Sequence, residues 1–480
     1  MILADLIKRL NVVKIIGKKD IDVTEIVFDS NKVTKGSLFL CLKGLEFDGH
    51  SYVKQVEQYG AVAIVTEREL DTPLTQIIVE DSRKALSLLS SAINNYSDTK
   101  IRKIGVVGTN GKTTTTHFIT SILMNGGVKC GLIGTLGTFY NGEVIAPTLT
   151  TPDPPELHKS FAEMLSKDIT TVVMENSAHA ISLKKLEGLT FEQGIFTNLS
   201  QDHLDFFGNM EKYKQTKLEF FDQRCKYIIT NTDDELGREI LRKNPKAITY
   251  GIDNPADVFA VQIKERQGYT SFVLNLFDEI YHIKLNVIGR FNVLNALAAA
   301  TSCALYGIST DKIAEGLEEL KGVDGRLQLI YKDRFSVYID YAHTPDGISK
   351  SLLALKPLTK SRLICVFGCG GNRDASKRAV MGAISGEIAD FTVITSDNPR
   401  FEEPMEIIWQ IEKGVLQKTK NYVIVEERTE AINYALNLAK EGDVILIAGK
   451  GSEQYQEFFG IKRMYNDKDT VEEYIRNRGR

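Results

Sequence analysis

The chain lacks any apolar run of the ~18 residues that a membrane-spanning helix needs, so no such helix is expected. It lacks a basic arm or patch. Its 59 Lys+Arg stand against 63 Asp+Glu for a formal net charge of −4, and nothing points to nucleic acid. It lacks a Cys-x-x-Cys pair. Cys41, Cys130, Cys225, Cys303, Cys365 and Cys369 are scattered and read as reduced thiols of a cytoplasmic protein. Cys365 and Cys369 flank Val366-Phe367-Gly368, and no metal role is expected for them. There is no internal repeat and no low-complexity tract. The first 13 residues are amphipathic and broken by Asp5, Lys8 and Arg9, which does not read as a signal peptide. What remains is ordinary globular composition, 43% hydrophobic and 25% charged. Single cores rarely grow past roughly 250–300 residues, so 480 residues suggest about three domains.

The most informative stretch runs from Ile104 to Thr116. An apolar run leads into Gly108-Thr109-Asn110-Gly111-Lys112-Thr113-Thr114, and an apolar-faced helix follows with Phe118, Ile119, Ile122 and Leu123 on one side. Strand, glycine turn and helix together make a phosphate cradle. Glycines let backbone approach phosphate oxygens, and the free N–H groups of the helix start favour an anion. Lys112 can reach the terminal phosphates, and the Thr113 hydroxyl can hold Mg²⁺. The general pattern asks for glycine at position 106, where this chain has Val106.

Three units are expected: 1–100, 101–325 and 326–480. In the first, 27–30, 36–42 and 61–65 read as strands, and the polar stretch 94–100 reads as a linker. In the second, the strand patterns 170–174, 194–197 and 227–230 alternate with helical ones, which indicates parallel sheet. Glu175, the Asn198–Asp205 loop, Asn231 and Asp233 follow those strands. Ligands sit at the carboxyl ends of such strands, so Glu175 and the loop are expected to face the crevice of Lys112. The third unit restarts with strands at 335–340, 362–368, 391–395 and 444–449, a second doubly wound domain. The expected fold is α/β: a smaller N-terminal α/β domain, a central P-loop ATPase parallel sheet and a C-terminal Rossmann-like domain.

Six ordered stretches resemble the Mur ligases, ATP-dependent amide-forming enzymes of peptidoglycan precursor synthesis. The loop Gly108–Thr114 is that family's form of the phosphate loop, which accounts for Val106. Thr197-Asn198-Leu199-Ser200-Gln201-Asp202-His203-Leu204-Asp205 looks like its second signature. Gly289-Arg290-Phe291-Asn292-Val293-Leu294-Asn295-Ala296, Gly325-Arg326, Asp340-Tyr341-Ala342-His343-Thr344-Pro345-Asp346 and Phe367-Gly368-Cys369-Gly370-Gly371-Asn372-Arg373-Asp374 follow in family order. Within the family the likeness is to the third, MurE-type ligase, which joins a diamino acid to UDP-N-acetylmuramoyl-L-alanyl-D-glutamate. Asp29-Ser30, Asp48-Gly49, Thr150-Thr151-Pro152-Asp153, Ser396-Asp397-Asn398-Pro399-Arg400 and Gly449-Lys450-Gly451-Ser452-Glu453 carry that likeness.

The resemblance implies two Mg²⁺ ions held by Thr113, Glu175, His203 and a carbamylated Lys217, with Lys112, Glu175, His203 and Lys217 catalytic. Unaided chemistry opposes carbamylation: at a pKa near 10.4, roughly one lysine in a few thousand is neutral at pH 7. Glu175 also reads as a surface carboxylate, and Lys217 as a solvated helix lysine like Lys212 and Lys214. The resemblance implies ATP contacts from the whole loop, including Gly108, Thr109, Asn110, Gly111 and Thr114, and from Asn292, Asn295, Arg326, Asp340 and His343. Asn292 and Asn295 share a helix face three residues apart, though Asn292 also reads as a helix cap. It implies that Ser30, Thr150, Thr151, Ser177, Lys185 and Lys217 hold the UDP-muramoyl dipeptide. Arg373, Asp397, Asn398, Pro399, Arg400, Gly449 and Glu453 would hold the amino acid, Arg400 gripping a carboxylate and Glu453 an ammonium. In this type Asp-Asn-Pro-Arg goes with meso-diaminopimelate. Partners are then small molecules only, with no nucleic acid or membrane, and the chain is expected to be a monomer.

There are departures from the family pattern. Its Glu-Val-Ser-Ser-His-Ala is Glu175-Asn176-Ser177-Ala178-His179-Ala180 here, and an expected arginine is Lys185. Asn31 replaces an arginine, Asp324 a proline and Ser452 a histidine. The drift falls on substrate-holding positions. It leaves open a ligase that adds lysine or another amino acid, or a weakly catalytic paralogue that binds the sugar nucleotide. Folylpolyglutamate synthase would leave the first ~100 residues unexplained, and a P-loop motor or switch would hydrolyse ATP without an amine.

Overall fold

The computed structural model describes residues 1–44, 47–222 and 224–478. No helix among them is long and apolar enough to cross a membrane. The chain divides into two compact units. One comprises Met1–Gly105, Lys129–Gly194 and Glu219–Lys226; the other comprises Val106–Val128, Ile195–Leu218 and Tyr227–Arg480.

The first unit opens on a five-stranded sheet in the order Val12–Ile16, Thr75–Val79, Ala63–Thr66, Ser37–Leu40, Glu25–Val27. The first pairing is antiparallel and the other three are parallel. The three inner strands are buried along their whole length. Burial on both faces selects short continuous apolar runs over alternation. The helix Ser82–Ile93 starts where the Asp81 carboxylate accepts from the Arg83 and Lys84 amides. Its Ala85, Leu86 and Leu89 pack with Leu3, Leu6, Leu38 and Val65. The stretch 94–100 corrects the linker expectation. Ser97–Lys100 forms a helical turn with Ser97 and Asp98 buried. Ser91 Oγ donates to Asp98 Oδ1 at 2.5 Å, and Lys103 Nζ donates to the Asp98 carbonyl at 2.6 Å. Polar residues that satisfy one another inside the fold read, in sequence, like a solvated loop. This unit also pairs Thr171–Glu175 in parallel with Cys130–Gly134, and the antiparallel strands Gly137–Tyr140 and Glu143–Ile145 follow.

In the second unit, the end of Cys225–Asn231 pairs in parallel with Ile248–Gly251, and that strand with Val258–Arg266. Tyr269–Leu276 and Glu279–Leu285 then add an antiparallel meander that the sequence did not lead us to expect. Its second turn uses Phe277 (φ 50°) and Asp278 (φ 71°), a left-handed pair without the usual Asn-Gly signal. The C-terminal segment is a six-stranded sheet in the order Gln328–Lys332, Ser336–Asp340, Val444–Ala448, Leu363–Phe367, Phe391–Ile394, Tyr422–Ile424. All its pairings are parallel except the first. Ile348, Leu352, Met381, Ile408 and Ile411 from three helices cover one face. Ala431, Ile432, Leu436 and Val471 cover the other, giving the doubly wound arrangement. The mixed α/β class with parallel-rich sheets is as expected.

Candidate active site

Within the second unit the site starts at the phosphate loop. The helix Lys112–Asn125 begins after Gly111, whose φ is +86°. A Cβ at Gly111 would lie 2.4 Å from Asn295 Oδ1, and one at Gly108 would lie 1.8 Å from Thr197 Oγ1. Only glycine fits either place. Thr197 and Asn198 lock the loop from behind. Thr197 Oγ1 donates to the Asn110 carbonyl at 2.7 Å, and Asn198 Oδ1 accepts from the Asn110 amide at 3.0 Å. The expected proximity of the 198–205 loop to the phosphate loop is therefore present. Lys112 Nζ donates to the Gly108 and Thr109 carbonyls, each at 2.9 Å. Thr114 is buried on the helix's first turn.

Arg326, just before the strand Gln328–Lys332 of the C-terminal segment, donates to Thr113 Oγ1 at 2.9 Å, its guanidinium lying 4.4 Å over the Tyr341 ring. Asn110 Nδ2 donates to Asp346 Oδ2 at 2.9 Å. Asp340 is buried, accepting from the Leu327 and Tyr341 amides and from Ser351 Oγ, so it holds the start of the third segment together. Burial pushes its pKa up, against the bonds from Ser351 and the Arg326 charge. Asn292 is not a helix cap: the helix Arg290–Tyr306 starts after Gly289. Instead Asn292 Nδ2 donates to the Ile288 carbonyl at 2.8 Å, Asn295 Nδ2 to Asn292 Oδ1 at 3.0 Å, and Thr115 Oγ1 to Asn295 Oδ1 at 3.3 Å. The two asparagines do share one face, and they tie that helix to the phosphate helix.

His203 sits in left-handed backbone (φ 55°), an uncommon place for a non-glycine residue, with its amide on Asp202 Oδ1 at 2.9 Å. Asp202 is a site residue that sequence reasoning passed over. It is buried, with His203 Nε2 at 3.3 Å, His343 Nε2 at 3.6 Å and Lys377 Nζ at 4.0 Å. Burial alone would raise its pKa; the hydrogen bond from His343 and the nearness of His343, His203 and Lys377 overcome that and hold the carboxyl well below the usual range. Lys217 is 1% exposed, with its Nζ 4.3 Å above the Tyr213 ring. The solvated reading of Lys217 is therefore wrong. Burial first, and the Lys112 charge second, push its pKa well down, while Asp202 and Asp234 pull the other way. The pKa of 10.4 assumed from sequence does not apply. Lys214, also read as solvated, pairs with Glu239 at 2.6 Å, while Lys212 is exposed.

The amino-acid residues form a second cluster in the same unit. Arg400 is also left-handed (φ 52°), pinned between Glu457 and Phe459: its amide donates to the Glu457 carbonyl at 3.0 Å, and its carbonyl accepts from the Phe459 amide at 2.6 Å. Its Nη1 donates to the Gly371 carbonyl at 2.8 Å. The Gly371 amide donates to the Asn398 carbonyl at 2.9 Å, and a Cβ at Gly371 would lie 1.9 Å from the Pro399 carbonyl. Asn398 Nδ2 donates to Glu453 Oε2 at 2.9 Å. Gly449 (φ 114°) leaves room for the Asp397 carboxylate. Arg373 is half exposed and 3.7 Å from Asp205.

In the first unit Glu175 ends its strand and is 1% exposed, so it is no surface carboxylate. Oε1 accepts from the Thr135 amide at 2.8 Å, and Oε2 from Thr135 Oγ1 at 3.1 Å. Thr151 Oγ1 donates to the Glu175 carbonyl at 2.8 Å and accepts from the Ser177 amide at 3.0 Å, while Thr150 Oγ1 lies 3.1 Å from Thr135 Oγ1. Ser177 caps the short helix Ala178–Ser182. Asn176, one of the departures, is wholly buried beside Gly105. Lys185 pairs with Asp153 at 2.8 Å, and both line a cavity of about 240 Å³ with Phe28, Leu42, Arg83 and Leu86. Ser30 begins a helical turn capped by Asp29.

Three family profiles match in order: the Mur ligase family catalytic domain over 22–100, the Mur ligase middle domain over 106–303, and the Mur ligase glutamate ligase domain over 325–451. The chain is 40% identical over 485 residues to a UDP-N-acetylmuramoyl-L-alanyl-D-glutamate–2,6-diaminopimelate ligase of Alkaliphilus oremlandii, covering 100% of both chains. It is 42% identical over 470 residues to a ligase of that name numbered 1 in Clostridium acetobutylicum, covering 96% of each. A solved structure of a UDP-N-acetylmuramoyl-L-alanyl-D-glutamate–2,6-diaminopimelate ligase aligns with a TM-score of 0.70 at 27% identity, covering 100% of this chain and 99% of the other. Identity of this order over the full length, through the same ordered loops that build the two clusters, makes the chain a member of the Mur ligase family.

Proposed function

We propose that the protein uses ATP to join meso-diaminopimelate to UDP-N-acetylmuramoyl-L-alanyl-D-glutamate, a step of peptidoglycan precursor synthesis carried out in the cytoplasm by a monomer. The observation that carries this reading is the Asn398–Arg400–Glu453 cluster, where a guanidinium and a carboxylate are held by one set of loops. A substrate end bearing both carboxylate and ammonium matches that pairing; a lone ammonium uses half of it. The names of the full-length relatives support the same substrate.

A carboxylate is a poor acyl donor because its leaving group would be oxide. Phosphoryl transfer from ATP gives an acyl phosphate, the amine attacks its carbonyl carbon, and amide, ADP and phosphate result. The work asked of the protein is positioning and charge neutralisation. The glycine cradle at 108 and 111 and the helix start at Lys112 fit a triphosphate, with Lys112 on its terminal phosphates. Asn292 and Asn295 are assigned to the adenine side, with Arg326, Asp340 and His343 closing from the third segment. The hydroxyl of Thr113, the Glu175 carboxylate and a carbamate on Lys217 are oxygen donors of the kind Mg²⁺ takes, with the His203 imidazole a less typical fourth. Two such ions would neutralise phosphate charge. Lys217 suits carbamate formation because its burial favours the neutral amine that takes up CO₂. Ser30, Thr150, Thr151, Ser177 and Lys185 are assigned to the sugar nucleotide, and the cavity at Lys185 supports that assignment.

The deciding assay is ADP release with UDP-muramoyl dipeptide and either meso-diaminopimelate or lysine. Release dependent on both the dipeptide and meso-diaminopimelate is expected. Folded, ATP-binding protein that releases no ADP with either amino acid overturns the ligase reading, and preference for lysine overturns the substrate.

A further inference from the structure

Lys450 has no place in the reading above, yet it is completely buried beside the amino-acid cluster. A buried ammonium persists only where partners offset its lost hydration. Here its Nζ donates to Asn398 Oδ1 at 3.0 Å and to Glu453 Oε2 at 2.9 Å. Asn398 Nδ2 donates to the same Glu453 oxygen at 2.9 Å, and the Glu457 amide donates to Asn398 Oδ1 at 3.0 Å. Lysine, asparagine and glutamate thus close a ring in which each touches the other two. Its members come from the loop after Phe391–Ile394 and the loop after Val444–Ala448. The Lys450 ammonium also lies 5.6 Å from the Tyr455 ring.

We infer that Lys450 is a positioning and specificity-determining residue for the amino acid. Resting on the functional reading above, it deepens that reading at the same site. The ring has two consequences. It fixes the Asn398 amide, whose backbone leads directly into the Pro399-Arg400 turn. It also ties one Glu453 oxygen and partly neutralises its charge, so Glu453 meets a substrate ammonium as a weakened partner. An amino acid whose far end carries only an ammonium then gains little. One that adds a carboxylate for Arg400 gains both contacts. Both substrates meet the same weakened Glu453, so the preference for diaminopimelate rests on the Arg400 contact that Lys450 positions through Asn398.

The test is steady-state ADP release by wild type, Lys450→Met, Glu453→Gln and the double variant, with meso-diaminopimelate, L-lysine and ATP varied in turn. For Lys450→Met we expect KM for diaminopimelate to rise about tenfold or more, the effect of losing charge-assisted hydrogen bonds. KM for ATP should stay within about twofold, and the kcat/KM preference for diaminopimelate over lysine should fall by about tenfold. Because Lys450 acts through Glu453, the two substitutions should be strongly non-additive. Equal shifts in both KM values, an unchanged preference, or additive effects would overturn the assignment. A thermal melt identifies a misfolded variant, and Lys450→Gln, which keeps a donor to Glu453, then repeats the comparison and should recover part of the preference. Wild type inactive with both amino acids overturns the functional reading and this inference with it.

Discussion

At the scale of single residues, Lys217 shows how surroundings alter chemistry. A lysine in water is almost entirely protonated at pH 7 and takes up little CO₂. Burial and the Lys112 charge both favour the neutral amine of Lys217, whose nitrogen lies 4.3 Å above the Tyr213 ring. The amine nitrogen can then bond to the carbon of CO₂ and lose a proton, leaving a carboxylate on the side chain. Replacing it with alanine removes that carboxylate but leaves space for one. Lys217→Ala should lower kcat by about 10²-fold or more, the scale of losing a positioned charge in an active site. Formate or acetate should restore part of it. Full activity in Lys217→Ala would remove the residue from the mechanism. Nothing in the helix pattern 210–219 separates Lys217 from Lys212 and Lys214. Only packing decides which of the three is inside.

At the scale of elements, the phosphate loop is held by the end of the strand Phe191–Phe196 and the residues that follow it. Gly108 lies so close to Thr197 that an added methyl would overlap its hydroxyl. That hydroxyl bonds the Asn110 carbonyl, so displacing it loosens the loop's return into the helix. Gly108→Ala should raise KM for ATP by about 10–100-fold, since one or two buried hydrogen bonds are at stake. Adding Thr197→Ala removes the overlapping oxygen, and the double variant should recover part of the loss. A double variant weaker than Gly108→Ala would mean that the methyl obstructs the nucleotide itself. The loop, its strand and its helix were legible because glycine, lysine and threonine act there through local geometry. The ring at Lys450 and the cluster at Asp202 were not. Asn398, Glu453, His203 and His343 were expected site residues; Lys450, Asp202 and Lys377 were not, because each completes its cluster with a loop distant in sequence and alone resembles a surface charge. The Glu279–Leu285 hairpin went unseen for another reason: Phe277-Asp278 does the work of a glycine turn without glycine.

At the scale of the whole molecule, the first hundred residues are joined to the segment beyond them through buried charge, not through a flexible linker. Asp98 accepts from Ser91 on the helix Ser82–Ile93 and lies 3.4 Å from His158 on the helix Pro154–Ser166. Lys103 braces the same turn through backbone carbonyls of Asp98 and Ile101. Burial by itself would raise the Asp98 pKa. The His158 imidazole 3.4 Å away, the Ser91 hydrogen bond and the Lys103 charge bring it below its ordinary 3.8. A carboxylate lowered in the folded state contributes stability that is complete above about pH 4 and is lost as pH falls through the folded value, because acid binds the unfolded chain first. Asp98→Asn keeps the shape and removes the charge. Its urea midpoint should fall at pH 7 by the equivalent of about 1–3 kcal/mol. The wild-type advantage should shrink as pH falls below about 4. Midpoints of the two proteins that run parallel down to pH 2 would show that Asp98 contributes through shape alone. The joint would then depend on the packing of the two helices and not on the charge buried between them.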